Sequence, residues 1–100
     1  MGRPGRLIKW FYYYCIMMLE LAGKARVGRH SRRYALYLDD ELSRALAGYK
    51  GEVRVFVNGI ILKLKPTTVP GGVIIYLPKL MNDTWAEYYG QWIRVVIKLD

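Results

Sequence analysis

A short pattern recurs at a spacing of 39 residues, and this repeat restricts the chain's fold more than any other feature. Tyr37-Leu38 returns as Tyr76-Leu77, and Ala47, Tyr49 and Gly51 return as Ala86, Tyr88 and Gly90. Lys24 answers Lys63 and Val57 answers Val96. Leu36, Leu42, Arg26 and Glu52 meet the similar residues Ile75, Met81, Lys65 and Gln91. Each copy reads as strand, short helix, Gly, strand. A duplicated strand–helix–strand unit in a small basic protein predicts a pseudo-symmetric binding module. The chain has 100 residues, of which 53% are hydrophobic, enough for one such domain and its core.

The pass along the body predicts a mainly β fold with two short helices. Leu19 to Val27 forms a first strand, Gly28 to Arg32 a basic turn, and Arg33 to Leu38 a second strand. Asp39 or Asp40 caps a helix, because a carboxylate accepts free backbone N–H groups and suits the positive end of the dipole. Leu42, Leu46 and Tyr49 form its apolar stripe, and Gly48 and Gly51 end it. Val53–Val57 and Ile60–Lys65 flank Asn58-Gly59, a pair that favours a two-residue type I′ hairpin because both turn positions need positive φ. Pro66 ends that ladder, and residues 66–72 read as a loop. The second copy runs from the strand Val73–Leu77 through Pro78, at the first helical position, to Met81, Trp85, Tyr88 and Gly90. Trp92 to Leu99 is the last strand. With a period of 39, strand 60–65 has to serve both copies, and no complete hairpin follows strand 92–99. The fused module therefore reads as an incomplete pseudo-dimer, or as a half-site that needs a second chain.

Residues 7–21, LIKWFYYYCIMMLEL, are almost continuously apolar. The uninterrupted stretch Trp10–Leu19 is ten residues, too short to span a bilayer as a helix. Several readings are open for residues 1–18: a signal peptide, an interfacial anchor rich in Trp and Tyr, a stretch ahead of a true start at Met17 or Met18, or an added strand or partner-binding arm. The domain itself is expected over 19–99, with a first copy at about 24–59 and a second at about 63–98.

Charge is uneven. Residues 1–33 hold eight basic residues against Glu20, whereas residues 34–100 hold eight against seven acidic ones. A positive field concentrated at the front of the chain suggests a polyanion partner. Cys15 is the only cysteine and His30 the only histidine, so no disulfide framework, cysteine zinc site or triad chemistry is expected. Asp39, Asp40 and Glu41 are accounted for by helix capping. No metal, cofactor, small-molecule substrate or enzymatic activity is expected. Gln91, Asn58 and Asn82 are the whole amide content, which is suggestive of a thermophile.

The stretch 23–66, with strand, basic turn, strand, short helix, Gly and hairpin, resembles the AbrB-like swapped-hairpin DNA-binding domain of the SpoVT/AbrB superfamily. Ile75-Tyr76-Leu77-Pro78-Lys79 carries the family's Ile-Pro-Lys type motif, and the first copy has Tyr37-Leu38-Asp39-Asp40 there instead. The resemblance implies a swapped-hairpin barrel, as an interleaved dimer or as two copies fused in one chain. It also implies duplex DNA binding near the first hairpin, by a transcription regulator, a chromatin-type factor or an antitoxin. The positions it singles out are Lys24, Arg26, Arg29, Arg32 and Arg33, with Lys63 and Lys65 in the second copy. Independently of any family, arginines beside a turn can enter a major groove on a two-stranded ribbon and bind phosphates or guanine edges. Lys50 and Arg54 read as ordinary solvated charges. A cytoplasmic, duplex-DNA-binding protein is the first expectation, with a homodimer or a partner protein engaged through residues 1–21. The alternatives are an RNA- or ribosome-associated protein, with tyrosines and Trp10 stacking on bases, and an antitoxin-like interaction module.

Overall fold

A computed structural model of the chain describes residues 20–99. Strands β1 (Glu20–His30) and β2 (Arg33–Leu38) form the first hairpin, and helix α1 (Asp40–Leu46) follows. Strands β3 (Val53–Val57) and β4 (Ile60–Leu64) form the second hairpin, and β5 (Pro66–Val69) and β6 (Gly72–Tyr76) the third. A 3₁₀ turn at Lys79–Met81 leads into helix α2 (Asn82–Ala86), and β7 (Trp92–Leu99) completes the sheet. Among the described residues no helix is long and apolar enough to cross a membrane.

All strand pairs are antiparallel, in the order β4-β3-β7-β1-β2-β6-β5. The strands at the two ends of this order are neighbours in sequence, separated by Lys65 alone. Laid flat, seven strands at about 4.8 Å spacing would hold those ends roughly 29 Å apart. One residue spans at most about 3.6 Å, so the sheet has to curl until its ends approach. The concave side then becomes the core.

Local chemistry explains two of the three tight turns. Asn58 and Gly59 have φ of 49° and 79°, the type I′ combination expected from their side chains. At the third hairpin, Pro70-Gly71 turns with Gly71 at φ 94°. The first hairpin differs from expectation. Strand β1 continues through Gly28 to His30, and the turn is only Ser31-Arg32, at φ 52° and 68°. Gly28 pairs with Ala35 inside the ladder, and a Cβ there would lie 2.7 Å from Tyr37 Cε1, so this glycine admits a cross-strand ring rather than a turn. The 66–72 segment also differs. Thr67, Thr68 and Val69 are β-branched and pair with β6, while Pro66 is tolerated as the first residue of an edge strand.

Asp39 caps α1 as expected. Its Oδ1 accepts from the Leu42 N–H at 2.8 Å, and its Oδ2 accepts from the Lys24 N–H at 2.8 Å, so one carboxylate starts the helix and fastens it to β1. Gly48, at φ 78°, follows the helix. The second helical segment begins after Pro78 without a side-chain cap. It is tied down instead at its far end, where the Gly90 N–H donates to the Val27 carbonyl at 2.7 Å and the Val27 N–H to the Gln91 carbonyl at 3.0 Å.

Alternation places Ala25, Val27, Leu36, Leu38, Val53, Val55, Val57, Val73, Ile75, Leu77, Val95 and Ile97 on the inner face, where Leu42, Leu46 and Trp85 from the helices close over them. Trp85 is 0% exposed. Burying such a ring contributes roughly 4–6 kcal/mol of gross transfer free energy. The register also revises one detail of the repeat. Val57 is buried and stands opposite Val95, whereas the half-buried Val96 stands opposite Phe56, so Val57 and Val96 face opposite sides of the sheet.

Candidate nucleic-acid interface

Side chains between the core positions project from the outer, convex face. The pairings arrange them in cross-strand rows. Lys63, Arg54, Lys98 and Glu20 form one row, and Ile61, Phe56, Val96 and Ala22 form the next. Arg94 and Lys24 stand side by side in the third. Trp92, Arg26, Tyr37, Ile74 and Thr67 make the fourth, in which Ile74 is buried. Beyond it lie Gly28, Ala35 and Tyr76, and then His30 with Arg33 at the hairpin end.

Seven of the cations of residues 20–99 therefore share this face, against Glu20 and, at its margin, Glu52. Asp40, Glu41 and Asp83 lie in the first turns of the two helices, on the side that closes the core. Alternation along β3 and β7 separates the charges, because an inward apolar residue is followed by an outward cation or ring.

The seven positions singled out from the sequence do not form one cluster. Lys24, Arg26, Arg33 and Lys63 project from the outer face, and the exposed Lys65 links β4 to β5. Arg32 occupies the tip of the first hairpin. Arg29 shares the opposite face with Tyr34, and its guanidinium lies 5.0 Å from that ring's centroid. Lys63 Nζ sits 3.8 Å from Glu52 Oε1, both side chains being well exposed.

Several of these cations are already held by aromatic rings. Arg26 lies over Tyr37 at 4.9 Å and Arg33 over Tyr76 at 4.8 Å. His30 Nδ1 and the Tyr76 hydroxyl are hydrogen-bonded at 2.6 Å, and the Tyr37 hydroxyl donates to the Arg29 carbonyl at 2.9 Å. Arg33 Nη2 donates to the Leu77 carbonyl at 3.4 Å, and its buried Nε has no partner among the described residues. Tyrosines thus hold the guanidiniums of Arg26 and Arg33 against the sheet surface, which restricts their rotamers.

From the sequence, Arg54 reads as an ordinary solvated charge, and Arg94, Lys98, Phe56 and Trp92 are not singled out as a group. The signal was the period-2 alternation in VRVFV and WIRVVIKL, which sets a cation or ring between successive core residues. Among the described residues no three His, Cys, Asp or Glu side chains converge into a metal-binding group. The arm 1–18 and its proposed partner contact lie outside the described residues. Comparison with protein-family models, with curated proteins and with solved structures finds no match to this chain. The fold and face define a mainly β protein with two short helices and a strongly basic convex sheet.

Proposed function

We propose that this chain is a small basic nucleic-acid-binding protein that engages duplex DNA, as a regulator or chromatin-type factor built on the AbrB-like plan. The observation that carries the reading is a like-charge pair: Lys24 stands directly across from Arg94. Lys63 stands across from Arg54 as well, with Glu52 Oε1 3.8 Å from its Nζ. Like charges opposed in a sheet destabilise it by roughly 0.2–1 kcal/mol, so the Lys24–Arg94 pair serves something other than folding. Phosphates are the anions that such closely spaced cations match.

The pairing pattern supports a twofold plan. Val27 pairs with Leu36, and Pro66 pairs with Ile75, the same contact displaced by 39 residues. Leu36 pairs with Ile75 itself, as equivalent residues do across a twofold axis. A displacement of 40 in the last strand relates Val53, Val55 and Val57 to Ile93, Val95 and Ile97, and converts Lys24·Arg94 into Lys63·Arg54. In this reading β4 and β5 together answer to β1, so both copies are complete within one chain. The two Lys–Arg pairs are then equivalent phosphate contacts about the Phe56–Val96 centre, suited to a ligand with its own dyad.

The test is binding of the full chain to labelled duplex DNA across a salt series. Log affinity is expected to fall linearly with log salt, by about 0.9 per phosphate contacted. A slope near zero, or no binding at low salt, would refute the reading.

A further inference from the structure

Between the two Lys–Arg pairs the outer face is apolar. Ile61, Phe56, Val96 and Ala22 form an unbroken row across β4, β3, β7 and β1. Ile61 is 61% exposed and Phe56 36%. Two shallow hollows, of about 410 and 290 Å³, share Arg94, Val95 and Val96. They flank Arg94, one reaching Phe56 and Ile61 and the other Ala22 and Lys24. Two residues before Arg94, on the same face, Trp92 is 56% exposed. The result is a trough with an apolar floor, an aromatic ring on each side of Arg94 along the strand direction, and two adjacent cations at its edge.

We infer that this trough takes unpaired nucleotides: bases stack on Phe56 and Trp92, and the connecting phosphates lie on Arg94 and Lys24. Charge decides that the occupant is an anion. The rings decide that it carries a flat apolar body as well. A duplex keeps its base faces stacked internally and offers its flank only phosphates and sugars, so Phe56 and Ile61 would gain nothing from it. Shape admits both forms: a stiff duplex lays a narrow strip of phosphates on the convex sheet, and a flexible single strand also follows its curve. Stacking on an aromatic side chain tolerates every base, so the site discriminates paired from unpaired nucleic acid rather than one sequence from another. This inference rests on the nucleic-acid reading above: the same cations hold duplex phosphates, and the trough adds contacts that only unpaired bases make.

The experiment compares the full chain with Phe56→Leu and Trp92→Leu variants, each measured by fluorescence polarisation against four probes. The probes are labelled dT20, rU20, an abasic deoxyribose-phosphate 20-mer and a 20-base-pair duplex. Leucine keeps apolar volume and removes the π-face, and a thermal melt of each variant verifies that the fold is kept. Each substitution is expected to weaken dT20 or rU20 binding by roughly tenfold and to leave abasic and duplex binding unchanged. Equal losses on the abasic strand would overturn the stacking site while leaving phosphate binding intact. Duplex binding without measurable single-strand binding would overturn this inference alone. Absence of binding to all four probes would overturn it together with the function on which it rests. Phosphatidylserine vesicles are a fifth probe; vesicle binding that exceeds oligonucleotide binding and falls with Phe56→Leu would make the trough a lipid site and refute the assignment.

Discussion

Replacing both members of one like-charge pair separates a structural role from a binding role by the sign of the effect. In Lys24→Thr/Arg94→Thr, two exposed cations that stand opposite each other on β1 and β7 become a pair of good strand formers. The Lys24 N–H still donates to Asp39, because that bond uses the backbone. Relief of repulsion is worth about 0.5 kcal/mol at low salt, within the range for directly opposed charges, after discounting for solvent screening. For a domain of this size that raises the thermal midpoint by roughly 2–4 °C. The gain shrinks as salt shortens the Debye length to about 8 Å at physiological ionic strength and about 3 Å at 1 M. Duplex binding moves the other way. Losing two phosphate contacts lowers the magnitude of the salt slope by about 1.8. The assays are a thermal melt and a polarisation titration, both run at several salt concentrations. A variant that melts lower and keeps its binding slope would show that Lys24 and Arg94 hold the sheet together, and the reasoning from unfavourable charge pairs to an anion site would fail.

Three further perturbations test how the face is built. Asp39→Ala removes the acceptor for both the Leu42 and Lys24 N–H groups and is expected to cost about 2–4 kcal/mol in urea denaturation; a loss below 1 kcal/mol would mean water replaces the carboxylate. Gly28→Ala drives a methyl into the Tyr37 ring and is expected to cost about 1–3 kcal/mol. Most of that should return in Gly28→Ala/Tyr37→Ala, and a double variant no more stable than the single one would contradict the contact. Ser31→Asn/Arg32→Gly gives the first hairpin the residues its φ angles of 52° and 68° favour, so stability should rise by about 0.5–1 kcal/mol. The same variant weakens duplex binding if Arg32 touches a phosphate; unchanged affinity removes the hairpin tip from the interface.

Features that depend on a few neighbouring residues were legible from the sequence. The Asn58-Gly59 turn and the Asp39 cap occur where local chemistry puts them, whereas Pro78 stands just before the second helical segment instead of at its first position, and that helix ends at Ala86, ahead of Tyr88 and Gly90. The Ser31-Arg32 turn was hidden, because neither residue prefers positive φ. It is imposed by the register that places His30 opposite Arg33. Strand β5 was hidden for the converse reason: Pro66 and Pro70-Gly71 signal a break, yet pairing with β6 outweighs them.

The site divides in the same way. Basic residues near the first hairpin could be enumerated from the chain, but the face each would occupy could not, because shifting a turn by one or two residues changes which side chains point outward. Arg29 and Arg33, four residues apart across that turn, lie on opposite faces. Alternation along a single strand is a local property, so the one-sided character of VRVFV and WIRVVIKL is written in the sequence. The partner across the ladder is not. Lys24 meets Arg94, and Phe56 meets Val96, only after a long closure of the chain sets the register of β7 between β1 and β3. Composition and periodicity therefore determine that this chain is a basic, mainly β protein with two short helices. Non-local pairing decides that its cations and exposed rings share one convex face, because no residue carries information about a neighbour many tens of positions away until the sheet has closed.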